Sequence, residues 1–395
     1  MKIYFFTSKL DFVTAGGSVE EFDLMIRTLQ KLGNEVVAVT AFSEANKITE
    51  PLPYQVIEES IPRRTLIGSQ RGICALFKKY EHDADFFHVD GHNFLYGAGA
   101  YRRFGGRVPV SAFFNRELGS WPPDRSTLIT NPEPFPRRLK RGLRWIVERY
   151  IGMPLANGID VRAFISPMYQ KMYEDFGLRC TGNCMVLGDP IDLRGVMHRN
   201  GVNESSYRAR TSHNRPIQLF FSSRMVAGKG FDLILAGFAR VKNKDRFRLI
   251  LGGDGPEQPK IKKMAKDLGI LAHINFPGWT PKEKLFELYK TADVFIQVGW
   301  RPEGTSISLL YALAFGLPMI VPRNTGLAWQ AGEAAITVEN GNHDELALAI
   351  EKLGEDAELR KRLSRNCYSH IADEQLDYEK VILKWFRMMQ NARMP

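Results

Sequence analysis

The chain has 395 residues, 44% of them hydrophobic and 25% charged. That length suits two domains, and that composition excludes a disordered chain, a collagen-like fibre and a polytopic membrane protein. The net charge of +10 is uneven: residues 101–150 hold eleven Lys and Arg against four Asp and Glu, and residues 201–250 hold ten against three, so two basic patches point to anionic partners.

The N-terminal apolar run Ile3–Phe6 is too short for a secretory signal core. No apolar stretch reaches the ~18 residues of a membrane-spanning helix. Four cysteines are too few for a disulfide framework, and Cys180 and Cys184 read as plain thiols because no second ligand pair completes a metal site. A reducing, cytoplasmic setting is expected. The runs KIYFF, EVVAV, DFFHV, VPVSAFF, DVRAFIS and CMVLG read as strands, with helices over 20–32 and 139–151 between them. A polar, aperiodic stretch, 193–215, reads as a linker. Beyond it the rhythm repeats in PIQLFFSS, FRLILGG, HINFPG, DVFIQVG, PMIVP and AAITV, with helices over 231–241, 261–268, 283–290 and 307–315. The tail is helical, with Val381, Trp385 and Met388 on one stripe. Strands alternating with helices imply parallel sheets covered on both faces, hence two doubly wound α/β domains over 1–200 and 214–375. Such sheets bind ligands outside the carboxyl ends of their strands, so two facing domains would share one cleft.

Three post-strand loops carry chemistry. Thr14-Ala15-Gly16-Gly17-Ser18 follows KIYFF and opens a helix, where glycines admit a ligand and free N–H groups attract an anion; a plain tight turn would look the same. Ser223-Arg224-Met225-Val226-Ala227-Gly228-Lys229-Gly230 sets two cations five residues apart, a spacing suited to a diphosphate. Trp300-Arg301-Pro302-Glu303-Gly304-Thr305-Ser306-Ile307-Ser308 places a carboxylate before a helix whose first N–H groups can hold a phosphate.

These pieces, in this order, resemble a retaining glycosyltransferase of the GT-B fold, glycosyltransferase family 4: R-x4-K, then G-G-D-G-P, then an E-G-x-x-x-x-x-L block followed by A-x-G-x-P. The likeness covers roughly 214–372. It implies an acceptor-binding first domain, onto which a final helix over 376–395 packs back, and a second domain that holds a nucleotide sugar. Carried over by position, it implies that Arg224 and Lys229 grip the donor diphosphate and that Glu303 contacts the sugar. Gly16, Gly17, Gly253, Pro277, Gly278, Trp279, Gly304, Thr305, Ser306, Ile307 and Tyr311 would surround the donor, and Asp90, His92, Asn115 and Arg116 the acceptor. The chain departs from the pattern twice. The second Glu of E-x7-E is Tyr311, which cannot grip a ribose bidentately, and the His into which the strand VPVSAFF would run is matched by its last residue, Phe114. No metal or other cofactor is implied; Asp83-Ala84-Asp85 precedes a strand and reads as a surface turn.

Residues 135–150 hold six cations and one acid, with Leu139, Leu143, Ile146 and Tyr150 on one stripe. The stripe is expected to pack on the sheet. Arg137, Arg138, Lys140 and Arg141, joined by Arg64, Lys78 and Lys79, would face an anionic membrane or acceptor. The leading expectation is a hexosyltransferase-type enzyme (EC 2.4) acting on a glycan or lipid-linked acceptor, peripheral on the inner face of a membrane. A degenerate relative acting as a binding subunit is the alternative, favoured by Tyr311 and Phe114. A nucleic-acid binder is not supported, since the basic stripes lack aromatic stacking platforms.

Overall fold

Thirteen parallel strands form two sheets in the computed structural model, which describes residues 1–13, 17–62, 66–121, 134–210, 215–300 and 303–393. The first sheet contains β1 (Lys2–Thr7), β2 (Glu35–Thr40), β3 (Gln55–Glu58), β4 (Phe86–Asp90), β5 (Val110–Phe114), β6 (Val161–Phe164) and β7 (Cys184–Val186), in the order β3-β2-β1-β4-β5-β6-β7. The second contains β8 (Ile217–Ser222), β9 (Phe247–Gly252), β10 (Ile274–Gly278), β11 (Val294–Ile296), β12 (Met319–Pro322) and β13 (Ala335–Val338), in the order β10-β9-β8-β11-β12-β13. Each sheet is doubly wound, with its order reversing between β1 and β4 or between β8 and β11. A parallel sheet hides both faces under crossover helices. That is why β1, β4 and β5 are near-continuous apolar runs with almost every residue buried.

The described residues cluster into two compact units. Unit 1 comprises residues 1–121, 134–191 and 377–393, and unit 2 comprises 192–376. Aromatic rings fill the core of unit 1: Phe77 lies 4.7 Å from both Phe6 and Phe87. The last helix, Tyr378–Arg393, belongs to this unit. Its Trp385 is fully buried, packs on Phe5 and His88, and donates from Nε1 to Ser111 Oγ at 3.0 Å. Met389, rather than the neighbouring Met388, completes the buried stripe.

Three features depart from the sequence reading. β3 is a half-exposed, four-residue edge strand, too short and polar to register as an apolar run. The helix Leu66–Tyr80 was likewise not anticipated. The stretch expected as a linker instead carries the helices Leu193–Arg199 and Glu204–Arg210. Each is a short helix that buries only a few side chains, so its polar majority hid it. Asp192 caps the first through the Gly195 amide, and buried Tyr207 donates to the Asp293 carbonyl at 2.9 Å.

Candidate functional site

In unit 2 the two loops singled out by sequence leave β8 and β11, the adjacent strands at which the sheet order reverses. A doubly wound sheet opens its ligand crevice at that point. The β8 loop can pass close to the β11 extension because Gly230 has φ +81°, and a Cβ there would lie 1.8 Å from the Val298 carbonyl. Lys229 Nζ reaches Glu303 Oε1 at 2.6 Å, and Gln297 Nε2 donates to Glu303 Oε2 at 2.7 Å. Both carboxylate oxygens are thus engaged, and the ammonium and carboxylate are held side by side, partly accessible. Arg224 is exposed, and no described carboxylate pairs with it. Its loop is braced from behind, where Met225 N donates to Asp254 O at 2.8 Å and Glu257 N to Met225 O at 3.0 Å.

The other expected donor-side residues gather in unit 2. Gly253 has φ +105°, lies against the Ser223 carbonyl and donates to the Gly278 carbonyl at 2.8 Å. Pro277 and Trp279 flank Gly278, and the Trp279 ring is 73% exposed. Gly304 is buried beneath Gly326, with Thr305 next to it. Ser306 caps the helix Ile307–Ala314 through the Leu309 amide. Its own amide donates to Gln330 Oε1 at 2.7 Å, so one of the expected phosphate donors already has a partner. Sequence gave no sign of Gln297 or Gln330; nothing marks an amide side chain until the fold sets it beside its acceptor or donor. Tyr311 is buried in a ring cluster, edge-on to Phe286 at 5.1 Å, with Lys282 Nζ 5.8 Å above its ring.

In unit 1, Gly16 lies outside the described residues, and Gly17 opens the helix Gly17–Lys31. Asp90 ends β4 beside the corresponding switch point. Its carboxylate accepts from Asn115 Nδ2 at 2.9 Å and from Thr7 Oγ1 at 3.3 Å. Burial raises the Asp90 pKa, opposed by the nearby charge of exposed Arg116 and by those hydrogen bonds. His92 begins a short 3-10 turn, and its ring lies outside the described side chains. Phe114, at the position of the expected His, is core: it packs on Phe164 at 4.9 Å and Tyr173 at 4.8 Å. The sequence reading missed Glu21, buried on the first helix. Its pKa is raised well above the ordinary value by burial, then by the negative charges of Asp189 and Asp90. Glu20-Glu21 after a Gly-Gly loop was the available signal.

The expected D-x-D turn is structural: Asp85 accepts from the Lys2 amide, and Asp83 accepts from Lys2 and Tyr4. Arg64 lies outside the described residues, and Lys79 is paired with Glu59. No group of three or more His, Cys, Asp or Glu side chains among the described residues is placed to hold a metal ion.

The basic helix Phe135–Val147 overturns one expectation. Its stripe does not pack on the sheet: Leu139, Leu143, Ile146 and Tyr150 are 54%, 58%, 51% and 65% exposed. The helix is anchored instead by Arg144, whose Nε lies 2.7 Å from the fully buried Glu148 Oε1. Arg137, Arg138 and Lys140 are exposed, with no described ion-pair partner, and Arg141 is half-buried. No helix among the described residues is long and apolar enough to cross a membrane.

Residues 203–370 match the family Glycosyl transferases group 1. A lipopolysaccharide core biosynthesis glycosyltransferase of Rhizobium meliloti is 33% identical over 144 residues, covering 36% of this chain and 40% of that protein. A GDP-mannose-dependent alpha-(1-6)-phosphatidylinositol monomannoside mannosyltransferase of Mycobacterium tuberculosis is 29% identical over 140 residues, covering 33% of this chain and 36% of that protein. The match therefore spans less than half of either relative. Among solved structures, a sucrose-phosphate synthase from Thermosynechococcus elongatus superposes with TM-score 0.74 at 17% identity, covering 99% of this chain and 98% of that one. An Anabaena protein solved in complex with UDP gives TM-score 0.70 at 16% identity, covering 99% and 100%. The chain thus has the two-domain fold of GT-B glycosyltransferases, and within it residues 203–370 match the group 1 glycosyl transferases.

Proposed function

We propose that the chain is a metal-independent, retaining hexosyltransferase of family 4 that takes its sugar from a nucleotide diphosphate donor. The observation that carries this reading is the Lys229–Glu303 pair at the β8/β11 switch point, with exposed Arg224 on the same loop as Lys229. Cleavage of a glycosyl–phosphate bond leaves negative charge on the diphosphate and positive character on the anomeric carbon. Lys229, Arg224 and the N-terminus of the helix Ile307–Ala314 stabilise the first charge. Glu303 accepts hydrogen bonds from the sugar hydroxyls. The acceptor oxygen forms its bond to the anomeric carbon on the face the phosphate leaves, and its proton passes to the departing phosphate oxygen. No carboxylate base is required. The polar edge around Asp90, Asn115, Arg116 and His92 in unit 1 takes the acceptor. The intact pair weighs against a degenerate binding subunit. Calorimetric titration with UDP-, GDP- and ADP-sugars tests the donor assignment; absence of binding to all three overturns it.

The acceptor is read as lipid-linked or an envelope glycan, since the relatives' names include lipopolysaccharide core and phosphatidylinositol mannoside synthesis. The exposed apolar stripe and the cations of the helix Phe135–Val147 suit peripheral docking on an anionic bilayer. Neutralising Arg137, Arg138, Lys140 and Arg141 together should reduce sedimentation with anionic vesicles at least tenfold. Unchanged sedimentation removes this part of the reading.

A further inference from the structure

The cysteines of the chain stand in unequal settings. Cys74 donates to the Gly97 carbonyl at 3.0 Å, and buried Cys367 donates to the Leu317 carbonyl at 3.3 Å. Cys180 and Cys184, plain thiols to the sequence reading, are half-buried against the core of unit 1 beside its edge strand β7. The chain between them turns sharply: Gly182 has φ +88°, and the Cys184 amide donates to the Gly182 carbonyl at 2.9 Å. The segment ahead of Cys180 is pinned by Asn157, whose side chain donates to the Gly177 carbonyl at 3.1 Å and accepts from the Arg179 amide at 2.7 Å. The turn brings the Cys180 thiol into hydrogen-bonding contact with the Cys184 sulfur.

Across the ladder, Cys184 of β7 is the register partner of Arg162 of β6, so their side chains share one face of the sheet. Arg162 is only 7% exposed. Its Nη2 donates to the Asn157 carbonyl at 2.8 Å, its Nε has no hydrogen-bond partner, and no described carboxylate forms an ion pair with it. A buried guanidinium without a counter-ion is costly, and a thiolate beside it supplies the missing charge. The hydrogen bond from Cys180, then the Arg162 charge, holds the Cys184 thiol down to about 7 against the effect of burial. The same hydrogen bond, then burial, pushes the Cys180 thiol up. Exposed Glu174, on the helix Pro167–Asp175, lies near both thiols and raises both.

We propose that Cys180 and Cys184 are a thiol–disulfide site, at which Cys184 attacks a small-molecule disulfide and Cys180 completes a disulfide within the chain. The Cys184 thiolate bonds to one sulfur of the small disulfide and expels the other as a thiolate. Cys180 then gives up its proton to solvent, and its sulfur attacks Cys184 Sγ and expels the second small thiolate. Two protein thiols are oxidised and one small disulfide is reduced to two thiols, so no further oxidant is needed. Cys184 opens β7 whereas Asp90 closes β4. The pair therefore lies at the opposite end of the parallel sheet from the acceptor edge, and it is independent of sugar transfer.

The test treats the full, pre-reduced chain with oxidised glutathione at pH 7. Free thiols are then alkylated in denaturant, and the cysteine peptides are read by mass spectrometry. A Cys180–Cys184 disulfide should form at least tenfold faster than any change at Cys74 or Cys367. Cys180→Ser should stop at the mixed disulfide of Cys184 with glutathione. Cys184→Ser should react at Cys180 at least tenfold more slowly than Cys180→Ser reacts at Cys184. Arg162→Gln should slow the reaction of Cys184 and move its pH profile upward, and Arg162→Lys should restore most of both. If neither Arg162 variant folds, the two cysteine variants decide. Recovery of both Cys180 and Cys184 as alkylated thiols in the parent would overturn the proposal. Equal rates in the two cysteine variants would overturn the assignment of Cys184 as the attacking group, and an unchanged pH profile in Arg162→Gln would overturn the part given to Arg162.

Discussion

The two sheets share one architecture but present opposite chemistry at the point where their strand order reverses. At β8/β11 in unit 2 the loops offer Arg224 and Lys229, with one carboxylate, Glu303, held by Lys229 and Gln297. At β1/β4 in unit 1 the corresponding edge offers carboxylates: Asp90 at the strand end, with Glu21 and Asp189 close by. The position of a crevice is therefore set by sheet topology, while its chemistry is set by which few side chains stand there. A cationic edge suits a diphosphate; an edge of carboxylates and an amide suits hydroxyl groups.

The largest expected effect tests whether unit 1 depends on its returning C-terminal helix. Trp385→Ala removes a fully buried indole and its hydrogen bond to Ser111. It should cost about 3–5 kcal/mol of stability, read by denaturant unfolding; a loss under about 1 kcal/mol would mean that the helix is dispensable. Next comes the cationic edge. Lys229→Ala should lower turnover about 10²–10³-fold with the fold intact, the scale of losing one preorganised charge-stabilising donor. Turnover within twofold of the parent would place the diphosphate elsewhere.

The carboxylate edge gives a smaller, pH-dependent effect. Glu21 has a raised pKa in the folded chain, so folding favours its protonated form. The folded state then binds more protons than the unfolded state, and this group's contribution declines as pH rises from the unfolded value through the folded one. Glu21→Gln removes that penalty. The variant should gain a few degrees in melting temperature over the parent at pH 8 and little at pH 4. An equal gain at both values would show that charge is not the cause. The smallest effect is on the docking helix. Leu139→Ser and Ile146→Ser should change stability by less than about 0.5 kcal/mol, as exposed positions do, while weakening sedimentation with anionic vesicles. A cost of about 2 kcal/mol would show that the stripe is packed in solution.

Much of this was legible because parallel strands buried on both faces have to be apolar runs. KIYFF, DFFHV, PIQLFFSS and FRLILGG all mark strands of the structure. The loops after β8 and β11 were legible because glycine, cation and carboxylate clusters stand out between such runs. Glu21 was not, since a carboxylate early in a helix is ordinary until burial and neighbouring acids shift it. The amphipathic stripe at 139–150 misled, because periodicity states that a helix has an apolar face and not what covers it.

The sequence by itself determined the two-sheet α/β class, the strand-end loops, and the identity of the cations and carboxylate that stand there. Local periodicity and glycine chemistry act over a few residues, so they can be read along the chain. Only the tertiary structure decided that β8 and β11 are neighbours, which sets Lys229 2.6 Å from Glu303 across 74 residues. It alone decided that Tyr311 and Phe114 are packed among rings and that Trp385 closes the core of unit 1. These are contacts between distant segments, and they depend on strand order and burial, which no local pattern encodes.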